Sequence, residues 1–132
     1  MTLPGASFEA GPFRVRTAPM RHPVPTLGMR IESNASVLAY SADTGPTDEL
    51  VAVSCGADVL LSEATYAFTG EGPPELHMSP EQAGQHASAA GVGRLVLTHM
   101  WPANDRDVAR EQAAGAFDGE VIVAEEGLKV SL

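Results

Sequence analysis

The sequence predicts an α/β domain built on a mixed sheet. Three observations carry that prediction. The first part of the chain is rich in short extended segments, the later part alternates apolar runs with helical stretches, and one of the helices carries a complete start signal. Strands first, then strand and helix in alternation, indicate a sheet layer covered by helices. The 132 residues allow one domain at most. A hydrophobic content of 44% lets the chain fold rather than stay disordered. Aromatics make up only 5%, so the core must be built largely from Val, Leu and Ala.

Phe13 to Thr17 alternates as Phe-Arg-Val-Arg-Thr, the pattern of a half-buried strand. Arg21-His22-Pro23-Val24-Pro25-Thr26 follows as a rigid loop, because each proline fixes a backbone angle and removes a donor. Gly28 to Glu32 reads as a short strand, Asn34-Ala35-Ser36 as a turn, and Val37 to Ser41 as a buried strand. Asp43-Thr44-Gly45-Pro46 stops that strand with a dense turn signal. Thr47 to Ser54 forms a short helix and Val59 to Ser62 a strand. A Gly/Pro-rich loop spans Thr69 to Leu76. Ser79-Pro80-Glu81-Gln82 then offers a cap residue, proline at the first helical position and Gln three after the cap. Gly91 ends that helix, Arg94 to Thr98 is another buried strand, and Asp105 to Phe117 another helix. Val121-Ile122-Val123 and Leu128-Lys129-Val130 close the chain as strands. There is no internal repeat and no linker long enough to divide two domains.

The formal charge of −9 is spread along the chain, and an acidic domain repels a phosphate backbone at long range. Non-specific nucleic-acid binding is therefore disfavoured, although a bound metal still provides a local positive site for a phosphate. Cys55 is the one cysteine, which excludes an intrachain disulfide and fits a reducing cytoplasm. Val53, Ser54 and Gly56 around it suggest a helix end and a structural thiol. No apolar run reaches the roughly 18 residues of a membrane span. Met-Thr-Leu-Pro-Gly at the start has neither the basic region nor the apolar stretch of a signal peptide, so the expected location is the cytoplasm.

Three of the four histidines lie just past or between secondary elements. His22 sits in the proline loop after a strand, His99 ends the apolar strand Leu95-Val96-Leu97, and His77 comes two residues before a helix cap. Asp43 ends Val37–Ser41 in the same manner. Ligands of open α/β sheets gather at the carboxyl ends of strands, so His22, Asp43 and His99 can converge. Imidazole with carboxylate suits zinc or a similar divalent metal. Plainer readings stand beside this one. Asp43 before Thr-Gly-Pro also suits a turn braced through its own backbone. His22 also suits an ordinary loop, and His99 a buried, hydrogen-bonded histidine. His86, mid-helix in Gln-His-Ala-Ser, reads as exposed and inert. Spacing alone does not establish a metal site.

Five segments, in order and with sensible gaps, resemble those of metallo-β-lactamase-fold hydrolases. Arg21-His22-Pro23 through Gly28-Met29-Arg30-Ile31 resembles the segment in which a ligand histidine precedes a Gly-aromatic-Arg strand. Tyr40-Ser41-Ala42-Asp43-Thr44-Gly45 resembles the Ser-Gly-Asp-Thr segment that carries the metal-bridging aspartate. Leu61-Ser62-Glu63-Ala64-Thr65 resembles the apolar strand ending in Glu-Ala. His77-Met78-Ser79 is similar to the His-x-Ser/Thr segment of ribonuclease Z-like members, and Leu95-Val96-Leu97-Thr98-His99 to the last ligand segment. Ala42 stands where glycine is usual and Met29 where an aromatic is common. No His-x-His-x-Asp-His occurs anywhere, and in the family that run lies upstream and supplies most of the remaining ligands.

The resemblance implies the C-terminal half of an αββα sandwich, a mixed sheet with helices on its outer face, with the N-terminal half absent. It implies two zinc ions in a complete site, with His22 serving one, His99 the other and Asp43 bridging both. His77 becomes the catalytic residue, which donates a proton to the leaving oxygen or hydrogen-bonds the developing charge, and Glu63 orients a neighbouring histidine or caps the strand end. The ribonuclease Z-like likeness, including cyclic-nucleotide phosphodiesterases, implies a small phosphodiester substrate. A tRNA-gripping arm inserted between the segments of His22 and Asp43 is missing here, and the acidic charge also disfavours tRNA. The alternatives are a ribonuclease Z-type tRNA-processing nuclease, a catalytically inactive half-domain acting by association, and an acidic interaction domain with incidental histidines. The half-domain reading further expects an inactive isolated chain that forms a homodimer or pairs with the missing half.

Overall fold

The computed structural model describes residues 5–132. The leading Met-Thr-Leu-Pro, read above for a leader peptide, lies outside the described residues. Seven strands form one sheet in sequence order: β1 (Ser7–Ala10), β2 (Phe13–Pro19), β3 (Leu27–Glu32), β4 (Val37–Tyr40), β5 (Val59–Glu63), β6 (Arg94–Thr98) and β7 (Glu120–Val123). The first four pair antiparallel and the last four parallel, so the mixed sheet and its α/β class stand as expected. The parallel crossovers carry the helices α1 (Asp48–Ser54), α2 (Pro80–Ala90) and α3 (Arg106–Ala114). β1 is exposed along its whole length, and no alternation in Ser-Phe-Glu-Ala announced it. It exists because β2 offers it a pairing edge.

Register explains the core. Ala39, Leu60, Leu95 and Val121 align as one row across four strands, and Ser62, Leu97 and Val123 as another. Most of these residues join Leu50, Met78, Ala83, Ala87, Ala113 and Phe117 in a single cluster between sheet and helices. Each fully buried leucine contributes about 1.5–3 kcal/mol by leaving water. Helix α2 presents mainly small residues, Ala83, Gly84, Ala87 and Ala90, to that core. A Cβ on Gly84 would lie 2.5 Å from the Ala113 carbonyl oxygen, so the glycine lets α2 and α3 touch backbone to backbone.

The start signal of α2 is realised in full. The Ser79 side chain accepts from the Gln82 N–H, Gln82 Oε1 accepts from the Ser79 N–H, and Gly91 closes the helix at φ 67°. Helix α3 starts at its Asp105 cap but ends at Ala114, three residues short of the expected Phe117. Phe117 is buried and turns into the core against Gly119, which ends the helix early.

The expected closing strand Leu128–Val130 does not form. Gly127, at φ 82°, and a turn bond from the Leu128 N–H to the Glu125 carbonyl swing the chain back over the sheet. Leu128, Val130 and Leu132 there line one cavity with Leu38, Leu61 and Val96. The segment covers part of the face opposite the helices instead of extending β7. Cys55 caps the end of α1, as the flanking residues suggested, and its side chain is exposed. No helix among the described residues is long and apolar enough to cross a membrane.

Candidate metal centre

Strand direction brings the predicted residues to one edge. β2 is antiparallel to β3, and β3 to β4, so β2 runs the same way as the parallel strands β4, β5 and β6. The loops after β2, β4, β5 and β6 therefore leave the sheet at one edge, carrying His22, Asp43, the end of Glu63–Thr65 and His99. The proline loop is fastened to the Asp43 turn twice. Arg21 N–H donates to Thr44 Oγ1 (3.0 Å) and Gly45 N–H donates to the Arg21 carbonyl (2.8 Å). A Cβ on Gly45 would fall 1.8 Å from the Pro74 carbonyl oxygen, so glycine admits the Thr69–Leu76 loop against the same turn.

His77 is the ring the others share. Its centroid lies 5.7 Å from that of His22, 5.6 Å from His99 and 5.5 Å from Tyr66, the last edge-on. Asp43 Oδ1 lies 3.6 Å from His99 Nε2. The sequence-predicted residues thus gather at one place. The tightest set of potential ligand atoms, however, belongs to Glu63, His77 and His99, all within 4.8 Å of one another.

Hydrogen bonding separates ligand from support within that set. Glu63 is 1% exposed. Its Oε1 accepts from the Thr44 N–H (2.9 Å) and pairs with His77 Nδ1 (2.7 Å). Its Oε2 accepts from the N–H groups of Thr65 and Met78, at 3.1 Å each. Four partners on two oxygens leave this carboxylate little capacity for a cation, and they join the loops after β4 and β5 to the His77 segment. Glu63 is therefore a support. Asp43 is the opposite case. Its side chain is 39% exposed, and no hydrogen bond to it is present among the described residues, so it does not brace its own turn. Thr44 and Glu63 hold that turn instead.

The three site histidines all have Nδ1 engaged. His22 Nδ1 faces the Leu76 carbonyl (3.0 Å), which can only accept, so Nδ1 carries the hydrogen. His77 Nδ1 faces Glu63, whose oxygens already accept backbone N–H groups. His99 Nδ1 lies 2.7 Å from Thr65 Oγ1, and that hydroxyl gives its single hydrogen to the His99 carbonyl (2.9 Å). Thr65 can then only accept from the ring, so Nδ1 of His99 is a donor too. In the neutral ring each histidine thus presents Nε2 as a lone pair. Fixing one nitrogen to free the other is how proteins prepare metal-binding and proton-transferring imidazoles.

His86 is not inert, contrary to its sequence reading. Its Nδ1 donates to the Gln82 carbonyl (2.7 Å) and its Nε2 accepts from the Thr47 N–H (3.1 Å). It fastens α2 to the cap of α1. Nothing in Gln-His-Ala-Ser marked it, because the partner is 39 residues distant. Thr65 was equally silent, since its role depends on a residue 34 positions away.

A profile described as the beta-lactamase superfamily domain matches residues 2–100. An uncharacterised protein of Mycobacterium tuberculosis is 41% identical over 112 residues, covering 83% of this chain and 41% of its own length. The probable metallo-hydrolase YhfI of Bacillus subtilis is 35% identical over 124 residues, covering 94% of this chain and 51% of its own. Its crystal structure, described as a metallo-beta-lactamase fold protein, superposes with a TM-score of 0.90 over 96% of this chain and 52% of that one. Ribonuclease Z of Mycobacterium tuberculosis is 33% identical, covering 90% of this chain and 48% of its own. The chain spans about half the length of the curated relatives it matches.

Proposed function

The chain belongs to the beta-lactamase superfamily, and from that membership we propose that it carries part of the active centre of a metal-dependent phosphodiester hydrolase. The observation that supports this reading is the set of three histidines with Nδ1 fixed, gathered at one strand-end edge with Asp43 Oδ1 3.6 Å from His99 Nε2. Imidazole nitrogens with one carboxylate are a donor set that zinc accepts, so the residues present fit the group. His22, Asp43 and His99 would hold the metal. When bound, such ions supply positive charge to a phosphoryl oxygen and ionise a water.

The chain's own contribution is positional and protonic. His77 as the imidazolium delivers a proton from Nε2 to the leaving oxygen, while the Glu63 carboxylate at Nδ1 stabilises the charged ring. Thr65 fixes the orientation of His99. The substrate class in this reading is a small phosphodiester such as a cyclic nucleotide. Likeness to ribonuclease Z supports phosphodiester chemistry. Against a tRNA substrate stand the charge of −9 and the span from His22 to Asp43, which holds only β3, a turn and β4. The same reading assigns the sheet face around Leu38 and Leu61 to a second copy or to a partner supplying the first half of the fold. Sedimentation of the chain alone and with that half tests this.

The activity belongs to a protein of the relatives' length. Loading such a protein with zinc and assaying bis(p-nitrophenyl) phosphate and cyclic nucleotides tests it. Metal-dependent hydrolysis, removed by chelation and restored by zinc, is expected. A protein that binds metal through His22, Asp43 and His99 yet cleaves no phosphodiester would leave the centre and refute the substrate class.

A further inference from the structure

Beside His77, on the side of the Gly/Pro-rich loop, lies a second cavity of about 320 Å³, walled by Tyr66, Thr69, Gly72, Pro74 and Gln82. We infer that this cavity binds the uncharged, ring-bearing part of a substrate, of the nucleobase class, and that Gln82 Nε2 is the donor that reads it. The inference rests on the phosphodiester reading above for its placement on the leaving-group side of His77.

Most polar groups on the wall are already satisfied. Thr69 Oγ1 bonds to Ser79 Oγ (2.7 Å), the Tyr66 hydroxyl donates to the Pro73 carbonyl (2.8 Å), and His77 Nδ1 is held by Glu63. Gln82 differs. Its Oε1 completes the capping box by accepting from the Ser79 N–H (2.9 Å), while its Nε2 has no partner among the described residues. The cap uses only the oxygen. Glutamate would provide that oxygen equally well and would add a favourable interaction with the helix dipole. The cap leaves the amide nitrogen unused, and Gln82 is one of the residues that wall the cavity.

Size and charge narrow what enters. A volume near 320 Å³ is at the small end of ligand pockets, about 300–1,000 Å³, and suits one ring system rather than an oligonucleotide. Where the wall is glycine it cannot be filled from within, because a Cβ on Gly72 would lie 2.7 Å from the Tyr66 ring. Tyr66 and Pro74 supply apolar surface. The surroundings are negative: burial first, then the charges of Glu63, Glu75 and Glu71, push the Tyr66 hydroxyl above its usual range. A second anionic group is repelled there, whereas a neutral ring with a hydrogen-bond acceptor finds apolar walls and one donor.

Titrating the ¹⁵N-labelled chain with adenosine, guanosine, cytidine and uridine tests this without metal or hydrolysis. At least one nucleoside should shift the Gln82 side-chain amide signals saturably, together with those of Tyr66 and His77. Gln82→Glu keeps the cap, so the chain should stay folded, and it should weaken that binding about tenfold, the scale of one lost hydrogen bond. Gln82 signals unmoved by all four nucleosides, or equal affinity in the folded Gln82→Glu chain, would overturn the inference. Zinc-dependent cleavage of bis(p-nitrophenyl) phosphate by the protein of the relatives' length separates the two readings. Cleavage with a silent Gln82 removes the cavity assignment alone, and nucleoside binding without cleavage removes the hydrolase reading and keeps the cavity.

Discussion

Where β5 and β6 begin, the residues preceding them at positive φ are glycines, Gly56 and Gly91, both at 67°. Where β4 and β6 end, the corresponding residues are Ala42 at 51° and His99 at 60°, the two non-glycine residues with positive φ among those described. The left-handed region costs a residue with a Cβ about 1–2 kcal/mol. One edge thus follows local preference and the other departs from it. The departure coincides with the histidine cluster, and the surroundings hold it in place. Thr65 bonds both the ring and the carbonyl of His99, and the Ser41 hydroxyl donates to the Ala42 carbonyl (2.7 Å). Strain kept by over-determined surroundings clusters at functional sites. The comparison sets the histidine-bearing edge apart by its backbone as well as by its side chains.

Substitutions at the two edges should separate function from stability. The largest effect is expected for His77→Ala in the protein of the relatives' length, where loss of one acid catalyst lowers turnover by about 10²–10⁴-fold. Metal content measured on the same preparation should stay near that of the parent. Loss of metal instead would make His77 a ligand.

Glu63→Gln comes next. It keeps the size of the side chain but puts an NH₂ where two donors converge, and a buried mismatch of that kind costs about 1–3 kcal/mol. Urea unfolding reads the loss. An unchanged midpoint would mean that the four bonds to Glu63 do not hold the working edge together. At the other edge, Gly91→Ala should destabilise by about 1 kcal/mol, because alanine is strained at the left-handed cap of α2. Activity per folded molecule should not change.

The smallest effect has the opposite sign. Ala42→Gly relieves the strain but loosens the unfolded chain, for a net gain of about 0.5 kcal/mol. A loss of stability at Ala42→Gly would show that the two edges are not built differently after all.

Local chemistry made much of this molecule legible in advance. The capping box at Ser79–Gln82 and the terminator Gly91 are satisfied by groups within a few residues, so their signals survive without context. The apolar runs of β4, β5 and β6 specify strands buried in a parallel sheet for the same reason. The positions of His22, Asp43 and His99 just past strand ends could be read because direction along a strand is a property of sequence. What each side chain does there could not be read. The commitment of Glu63 to four partners, the freedom of Asp43, the hydrogen on His99 Nδ1 and the fastening role of His86 all depend on atoms brought together from distant positions. The end of the chain teaches the same lesson in reverse. Leu128-Lys129-Val130 has the composition of a strand, yet Gly127 turns it over the sheet, where Leu128 and Val130 line a cavity with Leu38, Leu61 and Val96 instead of pairing beside β7. The sequence by itself determined the buried strands β4, β5 and β6, the start of α2 and the edge at which His22, Asp43 and His99 emerge. The tertiary structure decided which of them remain free to react, because hydrogen-bond capacity is consumed by whichever partners the fold delivers.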